Sequence, residues 1–285
     1  MSRERIRIPT LKDQASTYRT LFQVFQKSKE STIELDFSNC NGISHIGIAF
    51  LVGCLVETRS DTNVFVVDWN TVKPDMRKKI TKHFDWIIQK DSADAVELHE
   101  VPSRMFVRTD QVIPYLIENW LSPGWIKLSD DLKRALAGRT YEMFSNAFEH
   151  SNATTVFVCG EHQERQKKLK LAIVDFGIGI PGNVRPYVGP SMSREPSDVQ
   201  CLRWAMQEGA TTTNSEVPRG LGLGLLRQMV KINGGQLDMY SHSAHATVRG
   251  GELKVTKFDE FFPGTLVNIM FRCDDNYYRF ASEES

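Results

Sequence analysis

The sequence predicts a mixed α/β protein with two domains, residues 1–103 and 104–285. A chain of 285 residues is long enough for two compact domains of roughly 100–200 residues each. Both halves combine short apolar runs typical of strands with longer runs of helical period, which is the pattern of an α/β fold. The segment VPSR at residues 101–104 interrupts this pattern, and we place the domain boundary there.

The first domain has the order strand, helix, strand, helix. Residues 32–37 (TIELDF) and 63–69 (NVFVVDW) are apolar enough for buried strands. Between them, residues 45–58 form an almost wholly apolar stretch that suits a helix packed under a sheet. Residues 75–89 have the helical period, with one apolar face formed by Met76, Ile80, Phe84 and Ile87. Because a helix separates the two strands, we expect a small α/β domain with parallel pairing.

The second domain begins with two predicted helices. The first spans about residues 110–120 and ends at the turn Ser122-Pro-Gly. The second is long: Ser129 suits its N-cap position, and its helical period continues to Glu149 or His150.

Four strands and one more helix follow. Residues 154–159 and 169–175 are predicted to be adjacent strands joined by a charged, solvated hairpin loop. Residues 181–218 show no clear period, and a connection of that length is usually a lid, a binding loop or disordered. A glycine run then leads into a helix and two strands, predicted at residues 225–232, 236–241 and 265–272.

Composition excludes several classes of protein. The chain has 35 Lys and Arg against 35 Asp and Glu, so no overall field attracts nucleic acid or anionic lipid. The five cysteines are dispersed without metal-site spacing, which is typical of a reducing compartment. No signal peptide and no apolar run of about 18 residues is present. We therefore expect a cytoplasmic protein with no nucleic-acid or membrane partner.

The first segment with chemical interest lies on the long helix. Glu142, Asn146 and His150 are spaced at i, i+4 and i+8, so they share one strip of its surface. That strip overlaps a predicted apolar stripe, which places polar side chains in a buried setting where they need partners. The stripe is formed by Leu132, Leu136, Met143 and Ala147.

The second segment follows a predicted buried strand and reads Asp175-Phe-Gly177-Ile-Gly179. A carboxylate at a strand end can accept a hydrogen bond from an exocyclic amine, which adenine has and guanine lacks at that edge. The glycines let the backbone approach a flat base without a Cβ atom in the way.

The third segment is a glycine run that precedes a helix. Backbone N–H groups at such a place suit an anion. The run lacks the Gly-Lys-Ser/Thr ending of a P-loop and the strand context of a dinucleotide fold. Its residues are Arg219, Gly220, Leu221, Gly222, Leu223, Gly224 and Leu225.

In this order and spacing, the three segments resemble the motifs of the GHKL superfamily of ATP-binding proteins, which have the Bergerat fold. Glu142-x-x-x-Asn146-Ala resembles the N-box, and the second and third segments resemble the two glycine boxes. The likeness continues through Asn233-Gly-Gly-Gln-Leu with Ser241 and through Pro263-Gly264-Thr265, so it covers about residues 125–272.

The resemblance implies a two-layer α/β sandwich that binds ATP and Mg²⁺. Asn146 would coordinate the metal, and Asp175 would hold the adenine amine with Thr265 supporting it through water. The backbone of Gly220–Leu225 would hold the phosphates, and Arg219 would be either a charge clamp or a simple surface arginine. Residues 181–218 would form a mobile lid, with Gly209-Ala-Thr-Thr-Thr near its hinge.

The resemblance also bears on mechanism. Glu142, one helical turn before Asn146, would be the general base for water or for a protein hydroxyl. A sensor histidine kinase is not expected, because neither His45 nor His150 lies in a pair of phosphoacceptor helices. In gyrase-type members a further domain donates a lysine to the terminal phosphate, and here we expect such a lysine to come from elsewhere. The N-box Glu-x-x-x-Asn-Ala-x-x-His is similar to that of the anti-sigma-factor serine kinases.

The first domain resembles the STAS (anti-sigma-factor antagonist) fold, the usual partner of those kinases. The resemblance rests on the segment LDFSNCNGISHIGIAFLVG. The phosphorylated serine of that family precedes the glycine that opens the helix, and here Ile46 holds that position before Gly47. Ser44 lies two residues early, and a helix N-cap is the better interpretation for it than a phosphoacceptor.

Three functions remain open from the sequence. The first is an ATPase whose lid cycle couples nucleotide state to the STAS-like domain or to a protein partner. The second is a serine/threonine protein kinase of the anti-sigma-factor type. The third is a nucleotide-dependent switch without turnover, against which Glu142 argues because a pure binder needs no base. Relatives of this type are often homodimers.

Overall fold

The computed structural model describes residues 3–57, 65–88, 101–191, 193–207, 209–210 and 222–283. The fold is mixed α/β, as the sequence predicts, and it contains a three-stranded sheet, a five-stranded sheet and a two-stranded sheet.

The three-stranded sheet is formed by the N-terminal residues and is parallel throughout. Its strands lie in the order β1 (Arg3–Arg7), β2 (Thr32–Asp36) and β3 (Phe65–Val67). The predicted parallel pairing is therefore confirmed. Strand β1 is not predicted from the sequence, because the run RERIR is short and strongly charged, and no prediction covers helix α1 (Ala15–Ser28).

Two further helices complete the N-terminal part. Helix α2 (His45–Glu57) is buried along its first ten residues, which explains its almost wholly apolar sequence. Helix α3 (Pro74–Ile88) follows β3, and Met76 and Ile80 on its predicted apolar face are buried. The side chains of Phe84 and Ile87, the other two predicted members of that face, lie outside the described residues.

The five-stranded sheet is antiparallel. Its strands, in spatial order, are β4 (Arg104–Phe106), β6 (Val156–Gln163), β7 (Lys168–Asp175), β9 (Glu252–Arg272) and β8 (Gln236–Arg249). A small parallel pair joins β5 (Lys127–Leu128) to the C-terminal β10 (Tyr277–Tyr278).

Two hairpins of this sheet differ from the prediction. The expected charged loop after residue 159 is mostly strand, because β6 continues to Gln163 and a short turn with Lys167 at φ 50° reverses the chain. Strands β8 and β9 are much longer than predicted, and they continue to pair with each other beyond the edge of the sheet. The paired extension, residues 242–262, forms an arm that packs against α1 and against the helices of residues 179–205.

The helices of the C-terminal half lie on one face of the five-stranded sheet. Helix α4 (Val112–Tyr115) continues as a π-helix to Leu121, in place of the single helix predicted at residues 110–120. Helix α5 spans Asp130–His150, and the hydroxyl of Ser129 accepts a hydrogen bond from the Leu132 amide at 3.2 Å, as its predicted N-cap role requires. The remaining helices are α6 (Gly179–Val188), α7 (Asp198–Ala205) and α8 (Gly222–Asn233).

The other face of the five-stranded sheet is covered by α1 and α2. Phe22 of α1 stacks on Phe262 of the arm with 4.9 Å between ring centroids. At the rim, Arg19 forms an ion pair with Asp259 at 2.9 Å. One apolar core therefore contains side chains from both halves, and the layers run from three-stranded sheet to helices, five-stranded sheet and helices.

In the described part of the chain, no helix combines the length and the apolar character needed to cross a membrane. The free thiols of Cys54 and Cys159 are buried, as the sequence predicts for small apolar core residues.

Candidate functional site

Asp175 ends β7 and is the most unusual carboxyl group of the five-stranded sheet. Only 6% of the residue is exposed. Its Oδ1 atom accepts hydrogen bonds from the Gly177 amide at 3.0 Å and from the Ser151 hydroxyl at 3.2 Å. Asp175 makes no ion pair with any described residue. Among the described residues, the carboxylate is thus held by neutral donors.

This environment raises the pKa of Asp175 to about 6. Burial is the main cause, because removing a carboxylate from water favours its neutral form. The hydrogen bonds from Gly177, Ser151 and Thr265 act in the opposite direction but do not offset the burial. Thr265 lies directly opposite Asp175 on β9. Buried groups whose pKa is strongly shifted by their surroundings are common at functional sites.

The loop after Asp175 is closely packed against its neighbours, and two of its glycines are required. A Cβ atom on Gly177 would lie 2.1 Å from the Ser151 carbonyl oxygen. Gly179 has φ +68°, and a Cβ atom there would lie 2.3 Å from the carbonyl oxygen of Pro263. Both glycines are therefore required by contacts within the protein itself, and the approach of their backbone to a flat base stays a prediction.

Strand β8 fixes the far side of this loop. The Ser241 hydroxyl accepts from the Ile180 amide at 2.9 Å and donates to the Gly264 carbonyl at 2.8 Å. His242, at φ 52° in a bulge of β8, has its Nε2 atom 2.9 Å from the Ile178 carbonyl oxygen. The start of α6, where amides lack helical partners, thus receives a side-chain acceptor from a neighbouring strand.

Helix α5 brings its C-terminal end to Asp175. The amide of Ser151, the C-cap residue, donates to the Asn146 carbonyl at 3.2 Å, and its carbonyl accepts from the Ile178 amide at 2.7 Å. The helix is continuous through Gly138, as the sequence predicts.

The predicted burial of the polar strip on α5 is wrong. Asn146 is exposed, and the Glu142 side chain is about one-third exposed and pairs with Arg139 at 2.7 Å. The apolar stripe differs from the prediction because Phe144 is fully buried where Met143 was expected. Glu142 and Asn146 therefore lie at the margin of the core, where a ligand can reach them.

Only part of the glycine run can be located. Arg219, Gly220 and Leu221 lie outside the described residues. Gly222, Leu223, Gly224 and Leu225 form the first turn of α8, which begins three residues earlier than predicted. Leu223 and Leu225 pack against the apolar core shared with α5. The helix start leaves the first backbone N–H groups of α8 without helical partners, which suits an anion.

The predicted lid is largely helical where it is described. Helix α6 and helix α7 replace the irregular structure expected for residues 181–210, and both pack against β8. Arg185 links them through an ion pair with Asp198. Gly209 has φ +78°, and the rest of the expected hinge, residues 211–213, lies outside the described residues. Lid movement stays a prediction.

The resemblance gives the expected Mg²⁺ ion one protein ligand, Asn146. No cluster of three or more His, Cys, Asp or Glu side chains suited to a metal occurs among the described residues. Mg²⁺ bound with substrate phosphates usually keeps several waters and takes one or two protein ligands, so an exposed amide oxygen is consistent with it.

No protein-family model matches the sequence, and no curated protein matches it.

Three side chains of this site were not assigned a role from the sequence. Ser151 donates to Asp175, while Ser241 and His242 hold the loop that follows it. The one local pattern that indicates a role for Ser151 is its position directly after the long helix. The loop contacts of Ser241 and His242 depend on where the arm folds back, which no local pattern predicts.

Proposed function

We propose that residues 104–285 form a GHKL-type domain that binds Mg²⁺–ATP, and that the protein is an ATPase coupled to a STAS-like N-terminal unit at residues 1–103. The observation that carries this proposal is the buried carboxylate of Asp175, held without an ion pair to any described residue at the end of a strand and bordered by two closely packed glycines.

The carboxylate supports adenine as the ligand. A buried anion without a cation is costly unless further hydrogen bonds reach it. An exocyclic amine donates such bonds, whereas guanine presents an oxygen at the corresponding edge and would be repelled. Thr265, opposite Asp175 and only partly buried, is positioned to take part.

The phosphate side of the proposal rests on α8 and α5. The N–H groups of Gly222–Leu225 and the positive end of the α8 dipole would hold phosphate oxygens. Asn146 would supply the one protein oxygen to Mg²⁺, with phosphates and waters as the other ligands. When bound, the metal would neutralise charge on the phosphates during their transfer.

Glu142 supports turnover rather than simple binding. It lies one helical turn before Asn146 on the same face of α5, within reach of solvent. Its pairing with Arg139 at 2.7 Å would have to open for Glu142 to accept a proton from water. A protein hydroxyl could take the place of that water, so protein phosphorylation is the second function to be tested.

Intramolecular transfer to Ser44 is disfavoured by position. Ser44 precedes α2, and the Gly47 amide lies 3.4 Å from its hydroxyl, as expected for an N-cap. The next residue, His45, bonds Asn268, which lies opposite Ala172 on β7. Ala172 is three residues from Asp175, about 10 Å along the strand, and faces the opposite side of the sheet. A kinase activity would therefore act on a separate protein.

The decisive experiment follows γ-labelled ATP in wild type, Asn146→Ala and Glu142→Ala. Asn146→Ala should lose Mg²⁺-dependent binding, and Glu142→Ala should bind ATP normally but release no phosphate. Arg134→Ala is the matched control, since that side chain is 64% exposed on the same helix.

Each outcome separates the functions. Free phosphate from wild type supports the ATPase, and label on added protein supports the kinase. Tight binding with neither product indicates a switch. Wild-type protein that does not bind ATP, or Asn146→Ala with unchanged Mg²⁺-dependent affinity, would reject the proposed site.

A further inference from the structure

Phe176 lies between the two elements of the proposed adenine site, directly after Asp175 and directly before Gly177. Its side chain points into the core on the N-terminal side of the sheet, away from the carboxylate. There it contacts four aromatic rings with centroids 5.0–5.9 Å away, two of them from helices α1 and α2: Phe25, Phe50, Phe157 and Phe262.

The ring of Phe176 rests directly on the backbone of α2 at Gly53. A Cβ atom on Gly53 would lie 2.2 Å from Cε2 and 2.7 Å from Cζ of that ring, far inside van der Waals contact. Phe157 closes the same space, with its Cδ2 atom 3.0 Å from the same point. The absence of a side chain at Gly53 is therefore what lets the ring occupy its position.

The backbone around Phe176 has little freedom to absorb a displacement. On one side, Gly177 is pressed against the Ser151 carbonyl. On the other, a Cβ atom on Gly264 would lie 2.9 Å from the Cα atom of Phe176. A shift of the ring would thus move the peptide groups that define the Asp175–Gly177 hydrogen bond of 3.0 Å.

We propose that Phe176 is a positioning residue through which helices α1 and α2 hold the adenine-binding loop in its binding geometry. The N-terminal unit is then part of the nucleotide site in energetic terms, although it contributes no side chain to the ligand. This inference rests on the proposed adenine site. It gives the coupling between the N-terminal unit and the nucleotide a defined route: Gly53, the Phe176 ring and the Asp175 loop.

The test measures dissociation constants for ATP and adenosine in four variants by calorimetry, at a temperature where circular dichroism shows each variant folded. Gly53→Ala should weaken both ligands at least ten-fold, and by the same factor, because the phosphate side is untouched. Phe176→Leu should weaken both several-fold. Gly42→Ala, whose Cβ atom would meet nothing within 4 Å, is the matched control in the same unit and should bind within two-fold of wild type.

The affinity of the double variant Gly53→Ala/Phe176→Leu tests the direct contact between the two residues. A general loss of stability would not improve binding in the double variant. Leucine lacks the ring atoms with which the methyl group added by Gly53→Ala would collide, so the double variant should bind more tightly than Gly53→Ala alone. If Gly53→Ala does not fold, the affinity of Phe176→Leu for ATP and adenosine by itself tests the positioning role.

Several results would overturn the proposal. The proposal is wrong if Gly53→Ala folds and binds both ligands as tightly as wild type, or if Phe176→Leu does. It is also wrong if the loss of binding free energy in the double variant equals the sum of the losses in the two single variants. A loss for ATP without a loss for adenosine would also count against it. If wild type itself binds neither ligand, the proposed function fails and the positioning role fails with it. Binding by wild type with any of the other contrary results removes only the positioning role.

Discussion

Both faces of the five-stranded sheet hold carboxyl groups that are at least partly removed from water, and the pKa values of these groups are shifted in opposite directions. On the face covered by α1 and α2, Glu161 lies 3.1 Å from the Lys79 ammonium group and 3.7 Å from the His45 ring. Burial alone would raise the pKa of Glu161, but His45 and Lys79 more than offset it and hold the pKa well below its usual range. On the face covered by α5, Asp175 has no such cation among the described residues, and its pKa rises to about 6.

Asp13 repeats the first pattern on the N-terminal face. It pairs with Lys170 of β7 at 3.0 Å and accepts from the Asn268 amide at 3.1 Å and the Tyr18 hydroxyl at 3.2 Å. Although burial raises the pKa of Asp13, Lys170 brings it below its ordinary value.

The difference lies in the partners of each carboxylate. Glu161 and Asp13 on the N-terminal face are paired with cations of the protein and join the two halves. Asp175 has no cation among the described residues, and for that reason we propose it as a ligand-binding group. In this molecule, charge pairing rather than burial alone decides whether the pKa of a carboxyl group is lowered or raised.

A large effect is expected on the N-terminal face. Lys170→Met should lower the free energy of unfolding by up to about 3 kcal/mol at pH 7, because it removes the buried cation that holds the partly exposed carboxylate of Asp13. Urea unfolding measures this. Lys168→Met, two residues away on the same face of β7 but only partly buried, is the matched control and should change stability by no more than about 0.5 kcal/mol. An equal loss in both variants would mean that Lys170 matters only for packing.

Asp175→Asn should change stability in the opposite direction from Lys170→Met. It should raise the free energy of unfolding by about 3 kcal/mol at pH 8. The folded-state pKa of about 6 is above the ordinary value of 3.8, so wild type loses stability as pH rises through this range. The amide carries no charge and avoids that loss.

The advantage of Asp175→Asn should shrink as pH falls from 6 and vanish well below pH 3.8, where the wild-type carboxyl group is protonated in both the folded and the unfolded state. Asp259→Asn, at a side chain 73% exposed, is the control and should show no such pH dependence. If Asp175→Asn were less stable than wild type at pH 8, the ionised Asp175 carboxylate would not be destabilising the folded state, and the prediction would be wrong.

Glu161→Gln should lower the free energy of unfolding by about 1–2 kcal/mol at pH 7. Its folded-state pKa is lowered, so its contribution is present above the ordinary value of 4.5 and is lost as pH falls through the folded pKa. Acid unfolding followed by circular dichroism checks this. Wild type and variant should converge at low pH, and a constant difference down to pH 2 would show that the charge is not responsible.

The smallest expected effect is on ligand affinity. Adenosine, whose base does not titrate between pH 5 and 8, should bind up to about ten-fold more weakly at pH 5 than at pH 8, because a carboxyl group with a pKa of about 6 is mostly protonated at pH 5. Competition against labelled ATP at each pH measures it. Asp175→Asn should bind weakly at every pH, and a flat wild-type profile would exclude Asp175 as the adenine acceptor.

Local patterns predicted the elements that are regular over many residues. The 21-residue helix α5 and its Ser129 cap were predicted because the apolar period and the cap are both local. Strand β7 was predicted because it is buried on both faces and therefore apolar throughout most of its length. The N-terminal parallel pairing followed from the helix between two strands.

Other features depend on contacts between distant residues. Helix α1 and the arm of β8 and β9 stabilise each other, as in the bond from Gln26 to the Phe261 carbonyl, 235 residues away, at 2.6 Å. Neither segment shows that partnership in its own pattern. The predicted burial of Asn146 was wrong because a one-residue change in helix phase, from Met143 to Phe144, rotates the polar strip to the margin of the core.

The sequence by itself determined the α/β class, the helix that carries Glu142 and Asn146, and the strand that ends at Asp175. Periodicity and capping depend on neighbouring residues, so they can be recognised from the sequence without knowledge of the tertiary structure. Only the tertiary structure decided that Asp175 lacks a cation among the described residues while Asp13 and Glu161 have one, and that Phe176 rests on Gly53. Those properties depend on which distant side chains share the same low-dielectric space, and no stretch of sequence specifies that alone.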